Sequence, residues 1–274
     1  MKRWTSVAGL NEDKRWNFLS QVLRQQGIEN EYVPWSLPLT DWNKAEILNE
    51  FDHVRLATRL GSEILNQLKV QSSWVTLLGV IDGMVKRDGS WWPLCALYES
   101  FGKMLVSMGT DMDMHGNVFV VGSGGAARVA VAAFFKAGFK HFLVTDHDQV
   151  EAEKNIKEFR RKFLGIDVQW VPQESIVLLP GETSVLVNCT PVENNNLLTE
   201  LSYLNFLRRP GFLFDLNLTA QPHLLVHEAA DAGVTIISGL DVASYSDAFW
   251  CKWAFNVDLD VKAYAQDLQS AISA

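Results

Sequence analysis

Residues 118 to 128 read VFVVGSGGAAR and carry the clearest chemistry in the chain. An apolar run runs into a glycine turn that opens a helix, with G-x-G-x-x-A spacing at Gly122, Gly124 and Ala127. The first glycine permits the tight turn, the second lets backbone approach a pyrophosphate, and the small third residue lets helix and strand pack closely. A phosphate would then rest on the helix N-terminus, where unpaired N–H groups and the positive end of the dipole meet it. Ser123, Gly125, Ala126 and Arg128 complete this cofactor-binding stretch. Asp146 lies 21 residues beyond Gly125, where a carboxylate accepts hydrogen bonds from an adenosine ribose diol. A 2′-phosphate there would meet like charge with no arginine beside it, so the pattern favours NAD over NADP. The competing reading is an ordinary strand-end Asp in a polar TDHD turn, with His147 and Asp148 facing solvent.

The elements that must hold this turn are regular. Strands are predicted at Asn117–Val121, His141–Thr145, Val168–Val171, Ser184–Asn188, Phe212–Leu216 and Val234–Ser238, with helices at Ala126–Ala137 and Glu151–Leu164. Strands alternating with helices mean a parallel sheet covered on both faces. Before it, strands at Trp4–Ala8 and Glu31–Trp35 alternate with helices at Trp16–Gln26, Asp41–Phe51 and Gly61–Leu68. Asp88-Gly89 reads as a hairpin turn, and Leu94–Met108 as a connecting helix ending near Gly109. The tail 243–274 is helical. The expected fold class is therefore α/β in two lobes: residues 1–98 joined by 243–274, and a Rossmann-like, doubly wound domain over 99–242. Seven of the ten tryptophans fall between Lys2 and Trp92, as core filling or as the lining of a ligand cleft.

Composition narrows the partners. With 24 Lys and Arg against 32 Asp and Glu, the net charge of -8 lacks the basic footprint that nucleic acid or anionic lipid requires. Every strongly apolar window is broken by glycine or charge, and the N-terminus carries no apolar signal segment. Three widely spaced cysteines, without a C-x-x-C, argue against a disulfide framework and a zinc site. His223 and His227 are four apart but lack a third metal ligand, so no metal is expected. The reading is a cytoplasmic protein, monomer or homodimer, that takes a dinucleotide and a small polar substrate.

GSGGAAR, followed by VNCTP at 187–191, resembles the shikimate/quinate dehydrogenase family, whose members carry a G-x-G-G-A-A/S-R/K turn and an Asn-x-Thr-Pro strand end near the nicotinamide. Phe214-Asp215 through Leu224, Leu225, Ala229 and Gly233 is similar to that family's strand-loop-helix segment, as are Gly239-Leu240 and the pair Trp250 and Trp253 to its closing helix. GVIDGMV at 79–85 looks like its Gly-Ala-Val-Asn-Thr segment. The resemblance implies an NAD(P)-dependent oxidoreductase of aromatic amino acid biosynthesis type, with substrate on the first lobe, cofactor on the second and the active site in a cleft. It adds Asn188, Thr190, Pro191 and Gly239 to the cofactor residues.

It also implies a lysine and an aspartate that handle the proton of the reacting hydroxyl, and here the pattern departs. The lysine position holds Arg59, which stays protonated and can orient an anion but not serve as a base. The aspartate position falls near Cys95-Ala-Leu97. The family's N-terminal serine pair has no counterpart in GLNEDKRWN at 9–17, its tyrosine falls on Leu218, and its glutamine falls near Ser244 or Tyr245. The remaining candidates are Arg59 and Asp82 as a new charged catalytic pair, or a lobe-stabilising salt bridge, with Arg55, Tyr98 and Tyr245 toward substrate. The expectation is an altered oxidoreductase acting on a hydroxy acid or polyol. The alternative is a dinucleotide-binding sensor or partner subunit without turnover.

Overall fold

A computed structural model describes residues 1–7, 13–35, 50–69, 72–108, 112–191, 201 and 204–273. The chain forms two compact units, Met1–Glu99 with Ser244–Ala274, and Ser100–Ala243.

The second unit holds β6 (Asn117–Val121), α5 (Gly125–Ala137), β7 (His141–Thr145), α6 (Gln149–Lys162), β8 (Asp167–Trp170), β9 (Thr183–Asn188), β10 (Leu207–Asp215), α7 (Leu224–Asp231) and β11 (Thr235–Ile237). Its six strands pair in the order β11-β10-β9-β6-β7-β8, every pairing parallel. Counted from β6, that is the 3-2-1-4-5-6 order of a doubly wound dinucleotide fold, and the order reverses between β6 and β9. The central strands read as unbroken apolar runs because both faces are buried. Phe119, Val121, Leu186 and Leu213 enter a core with Phe206, Leu225 and Ala229 on one face. Phe214 enters a cluster of rings on the other, 5.2 Å from Phe134 and 5.6 Å from Phe101.

The first unit is built on β1 (Lys2–Val7), β2 (Asn30–Tyr32), β3 (His53–Leu56), β4 (Gly83–Arg87) and β5 (Ser90–Leu94), in the order β2-β1-β3-β4-β5. β1 pairs in parallel with β2 and β3, while β3, β4 and β5 run antiparallel. Its helices are α1 (Asp13–Gln25), α2 (Thr58–Ile64) and α3 (Ser73–Leu78). The connecting helix α4 (Ala96–Met108), and α8 (Gly239–Phe255) and α9 (Val261–Ser273) in the tail, follow later in the chain.

Several boundaries differ from those the sequence suggests. The helix expected over Asp41–Phe51 lies largely outside the described residues, as do Ala8 and Gly109, and Phe51 itself is not helical. Gly61–Leu68 divides into the end of α2 and a tighter turn over Leu65–Gln67. Strand β3 carries His53 and Arg55, whose polarity hides its alternation, and the six-residue α3 is too short to show a period. The tail breaks after α8, where Asn256 takes a left-handed φ of 58°.

One face of the first sheet is apolar, with Val7, Val54, Leu56 and Met84 in one cluster. The other alternates aromatic and polar groups. Trp4 pairs with His53 and Ser6 with Arg55 along β1 and β3, so these four side chains share a face, and all are buried. His53 stands edge-on to Phe255 at 4.8 Å and to Trp250 at 6.2 Å. Burial first, and the Lys2 charge second, pull its pKa down to about 4 from 6.5. A depressed folded-state pKa means that the unfolded chain binds the extra proton first. The stabilisation is therefore complete above pH 6.5 and is lost as pH falls toward 4, by an amount on the order of 3 kcal/mol. His53→Leu should remove that dependence, so urea midpoints of variant and wild type should converge or cross between pH 7 and pH 4. Parallel midpoint curves would show that the imidazole does not titrate in this environment.

Candidate cofactor turn and the polar interior of the first unit

The glycine turn follows β6, at the point where the strand order reverses. Gly122 has φ 99°, open to glycine at little cost, and its N–H donates to Thr145 O at 2.8 Å across to β7. Gly124 is the N-cap residue of α5, and no side chain caps that helix. A Cβ built on Gly124 meets nothing within 4 Å, so the backbone is open on the side that faces the helix start. Uncapped first-turn N–H groups beside exposed backbone make an anion cradle.

Asp146 follows the last residue of β7. Its Oδ2 accepts from both the N–H and the hydroxyl of Ser123, each at 2.7 Å. Its Oδ1 accepts from Asp148 N at 3.2 Å and pairs with His147 Nδ1 at 2.7 Å. His147 is exposed, whereas Asp148 has a structural duty: its Oδ1 accepts from Glu151 N at 3.0 Å and caps α6. Arg128, the last residue of the motif, turns to α6, bonding Asn155 and pairing with Glu158 at 3.1 Å. Ala126 and Ala127 lie in the first turn of α5, with Ala127 buried.

A second polar group closes the ends of β9 and β10. Asn188 is fully buried; its Nδ2 donates to Asp215 Oδ1 at 2.8 Å, and its Oδ1 accepts from Thr190 N at 3.1 Å. Asn217 Nδ2 donates to Asp215 Oδ1 and to Thr190 O, both at 2.9 Å, and His223 Nε2 meets Asp215 Oδ2 at 2.8 Å. Pro191 is exposed beyond this knot. Gly239 is required by close approach, since a Cβ there would lie 2.0 Å from Asn217 O. His223 is thereby tied to a carboxylate, and no group of three metal-ligating side chains occurs among the described residues. Burial, then the Asp215 charge, pushes the Cys189 thiol well above its usual range, so it stays protonated and unreactive.

In the first unit, the structure does not bring Arg59 and Asp82 together. Arg59 is exposed and forms no ion pair among the described residues. Asp82 is buried and takes Ala96 N at 2.6 Å and Leu97 N at 2.7 Å, capping α4, with Arg55 Nη1 at 3.4 Å. The arginine beside Asp82 is instead Arg55, because Arg55 on β3 is paired with Gly83 of β4, the residue next to Asp82, whereas Arg59 lies on α2. Arg55 also donates to Ser246 Oγ at 3.0 Å and lies 5.5 Å and 5.3 Å over the Trp16 and Trp250 rings. Tyr98 is buried against Trp74 at 5.6 Å, and burial pushes its pKa up to about 12, so it remains a phenol at neutral pH. Tyr245 is half-buried on α8.

A second buried ion pair gives no signal in the sequence. Arg15, in the first turns of α1, grips Asp247 with two hydrogen bonds of 2.9 Å and 2.7 Å, and Tyr264 OH donates to the same carboxylate at 2.8 Å. The helix that carries Arg15 starts at Asp13, three residues before the expected Trp16. The partners are 232 residues apart, so no local pattern marks them. Burial pushes the thiols of Cys95 and Cys251 well up, toward the inert protonated form.

Removing the Asp82 carboxylate should uncap α4 and leave Arg55 buried without its acid. Asp82→Ala is expected to cost roughly 3–5 kcal/mol in urea unfolding, and Asp82→Asn less, because the amide oxygen still accepts one N–H. A loss under about 1 kcal/mol for the alanine variant would refute this structural role.

No family model matches the chain. In sequence it is similar to the shikimate dehydrogenase (NADP(+)) of Dictyoglomus turgidum, 23% identical over 225 residues that span 81% of this chain and 74% of that one. In structure it is similar to the shikimate 5-dehydrogenase of Listeria monocytogenes in complex with shikimate and NAD, with a TM-score of 0.80 at 16% identity over 97% of this chain and 95% of that one. The ligand-free 5-ketofructose reductase of a Gluconobacter strain gives a TM-score of 0.77 at 16% identity, over 98% and 97%. At these identities the structural likeness establishes the fold.

Proposed function

We propose that this chain, shikimate dehydrogenase-like in sequence and fold, binds a nicotinamide dinucleotide on the unit Ser100–Ala243, prefers NAD(H), and oxidises or reduces a small polar hydroxy acid or polyol. The observation that carries this reading is the turn after β6. Gly122 supplies the positive φ, Gly124 leaves open backbone at an uncapped helix start, and Asp146 stands fixed beside them. These residues fit the group: α5 N–H groups would hold the pyrophosphate, and Asp146 would accept from the ribose diol. The nicotinamide supplies the hydride acceptor or donor when bound. The knot of Asn188, Thr190, Asn217 and Asp215 keeps the carboxyl ends of β9 and β10 rigid beside it.

Preference for NAD(H) rests on charge. Asp146 and Asp148 are both acidic, and Arg128 is committed to α6, so a 2′-phosphate finds two carboxylates and no arginine. The Dictyoglomus relative is named for NADP(+), the opposite preference, so the side chain at 146 is the point to test. A sugar-type substrate is supported by the 5-ketofructose reductase, which shares the fold.

One observation favours the second reading, dinucleotide binding without turnover. Asp82, one candidate to move the proton, is committed to a helix cap and to Arg55, and a guanidinium at position 59 suits orienting an anion rather than proton transfer. Calorimetric titration should show NADH binding at least about tenfold tighter than NADPH, which binding to neither would refute. Gly124→Val should weaken NADH binding by roughly tenfold or more while leaving the melting temperature in place, because its Cβ enters open space at an unstrained φ of −72°. Unchanged affinity would remove the turn from the cofactor site. NAD⁺ incubated with a panel of cyclic hydroxy acids and polyols separates the two readings: NADH formation marks the oxidoreductase, and binding without formation on any of them marks the silent binder.

A further inference from the structure

We propose that Ser123 is a positioning residue for cofactor choice, clamping one oxygen of Asp146 so that the other is presented to the ribose diol and the charge cannot swing away from a 2′-phosphate. The proposal rests on the dinucleotide reading of this turn and goes beyond it, because the turn itself does not need a hydroxyl at 123. Gly122 supplies the positive φ and Gly124 the open backbone. Any small residue between them would complete the same path.

The geometry of the carboxylate makes the argument. Oδ2 takes two hydrogen bonds from one residue, the Ser123 N–H and hydroxyl, each 2.7 Å. Ser123 is 2% exposed, so releasing its hydroxyl would leave a buried polar group without a partner. Oδ1 is held differently. It meets Asp148 N at a longer 3.2 Å and the His147 ring at 2.7 Å, and the His147 side chain is 75% exposed. An exposed imidazole gives up its place to a ligand at little cost, because water receives it. Incoming hydroxyls therefore displace His147 from Oδ1 and leave Ser123 on Oδ2. Without the hydroxyl, Oδ2 keeps the Ser123 N–H and Oδ1 the longer Asp148 N–H, a looser hold than the N–H and hydroxyl together, which must both break before the carboxylate rotates about its Cβ–Cγ bond. The clamp thus fixes orientation for the diol and keeps negative charge in place against a phosphate.

The test is calorimetric titration of NADH and NADPH into the wild type and into Ser123→Ala, Ser123→Cys, Ser123→Thr and Asp146→Asn. The alanine and cysteine variants should bind NADH about tenfold more weakly with NADPH unchanged or tighter, so that the ratio of the two dissociation constants collapses. Threonine, which keeps the hydroxyl, should retain the wild-type ratio. A packing defect would weaken both cofactors alike and leave the ratio unmoved. If Asp146→Asn collapses the ratio while Ser123→Ala and Ser123→Cys do not, or if Thr collapses it as Ala does, the clamp is overturned and the cofactor reading stands. If no variant moves the ratio, Asp146 does not meet the ribose, and both fail.

Discussion

A parallel strand covered on both faces has room for polar side chains only at its ends, and the second unit is organised by that constraint. Its central strands carry apolar residues along their length and polar ones where they stop: Thr145 at the end of β7 and Asp146 after it, Asn188 on β9, Asp215 on β10. Because every pairing is parallel, all these ends lie on one edge of the sheet. The edge must satisfy its own hydrogen bonds or be costly to bury. Asn188 and Asp215 do so by binding each other and the turns that follow. After the glycine turn, α5 begins at Gly124, which has no side chain to cap the first-turn N–H groups, whereas α6 begins on the capping carboxylate of Asp148.

The first unit solves the opposite problem. One face of its sheet buries arginine, histidine and serine among tryptophans, and charge there must be paired on the spot. Asp247 serves Arg15, and Asp82 serves Arg55, which also has Ser246. Each pairing removes a carboxylate from chemistry. A carboxylate that caps a helix with both oxygens and neutralises an arginine is stabilised in its charged form, so taking a proton from a substrate would weaken the cap and the ion pair together.

The second unit was legible because its signals are local. An apolar run, a glycine turn and an acid one strand later are separated by short, fixed spacings that the backbone geometry itself demands. An element was missed where local preference was weak, as at β3, whose polar residues face a polar interior. The first unit's ion pairs were not legible, because Arg15 and Asp247 meet only through the fold. Arg55 and Asp82 were both visible as candidates, yet which arginine faced the acid depended on strand register, and Arg59 lies beyond the strand, on α2. The role of Ser123 was hidden for a related reason: the motif tolerates many residues at that place, so the type alone says nothing until the distance to Asp146 is known.

The three cysteines give the molecule an internal gauge. Cys95 and Cys251 belong to one unit and Cys189 to the other, and burial keeps each thiol protonated. A protonated, enclosed thiol reacts with an alkylating reagent only when its surroundings open. The rate of modification at each site, read by mass, is then a clock for local opening. Cys95 and Cys251, both buried, clock the first unit in this way without any introduced label, beside the half-buried Cys189 of the other unit.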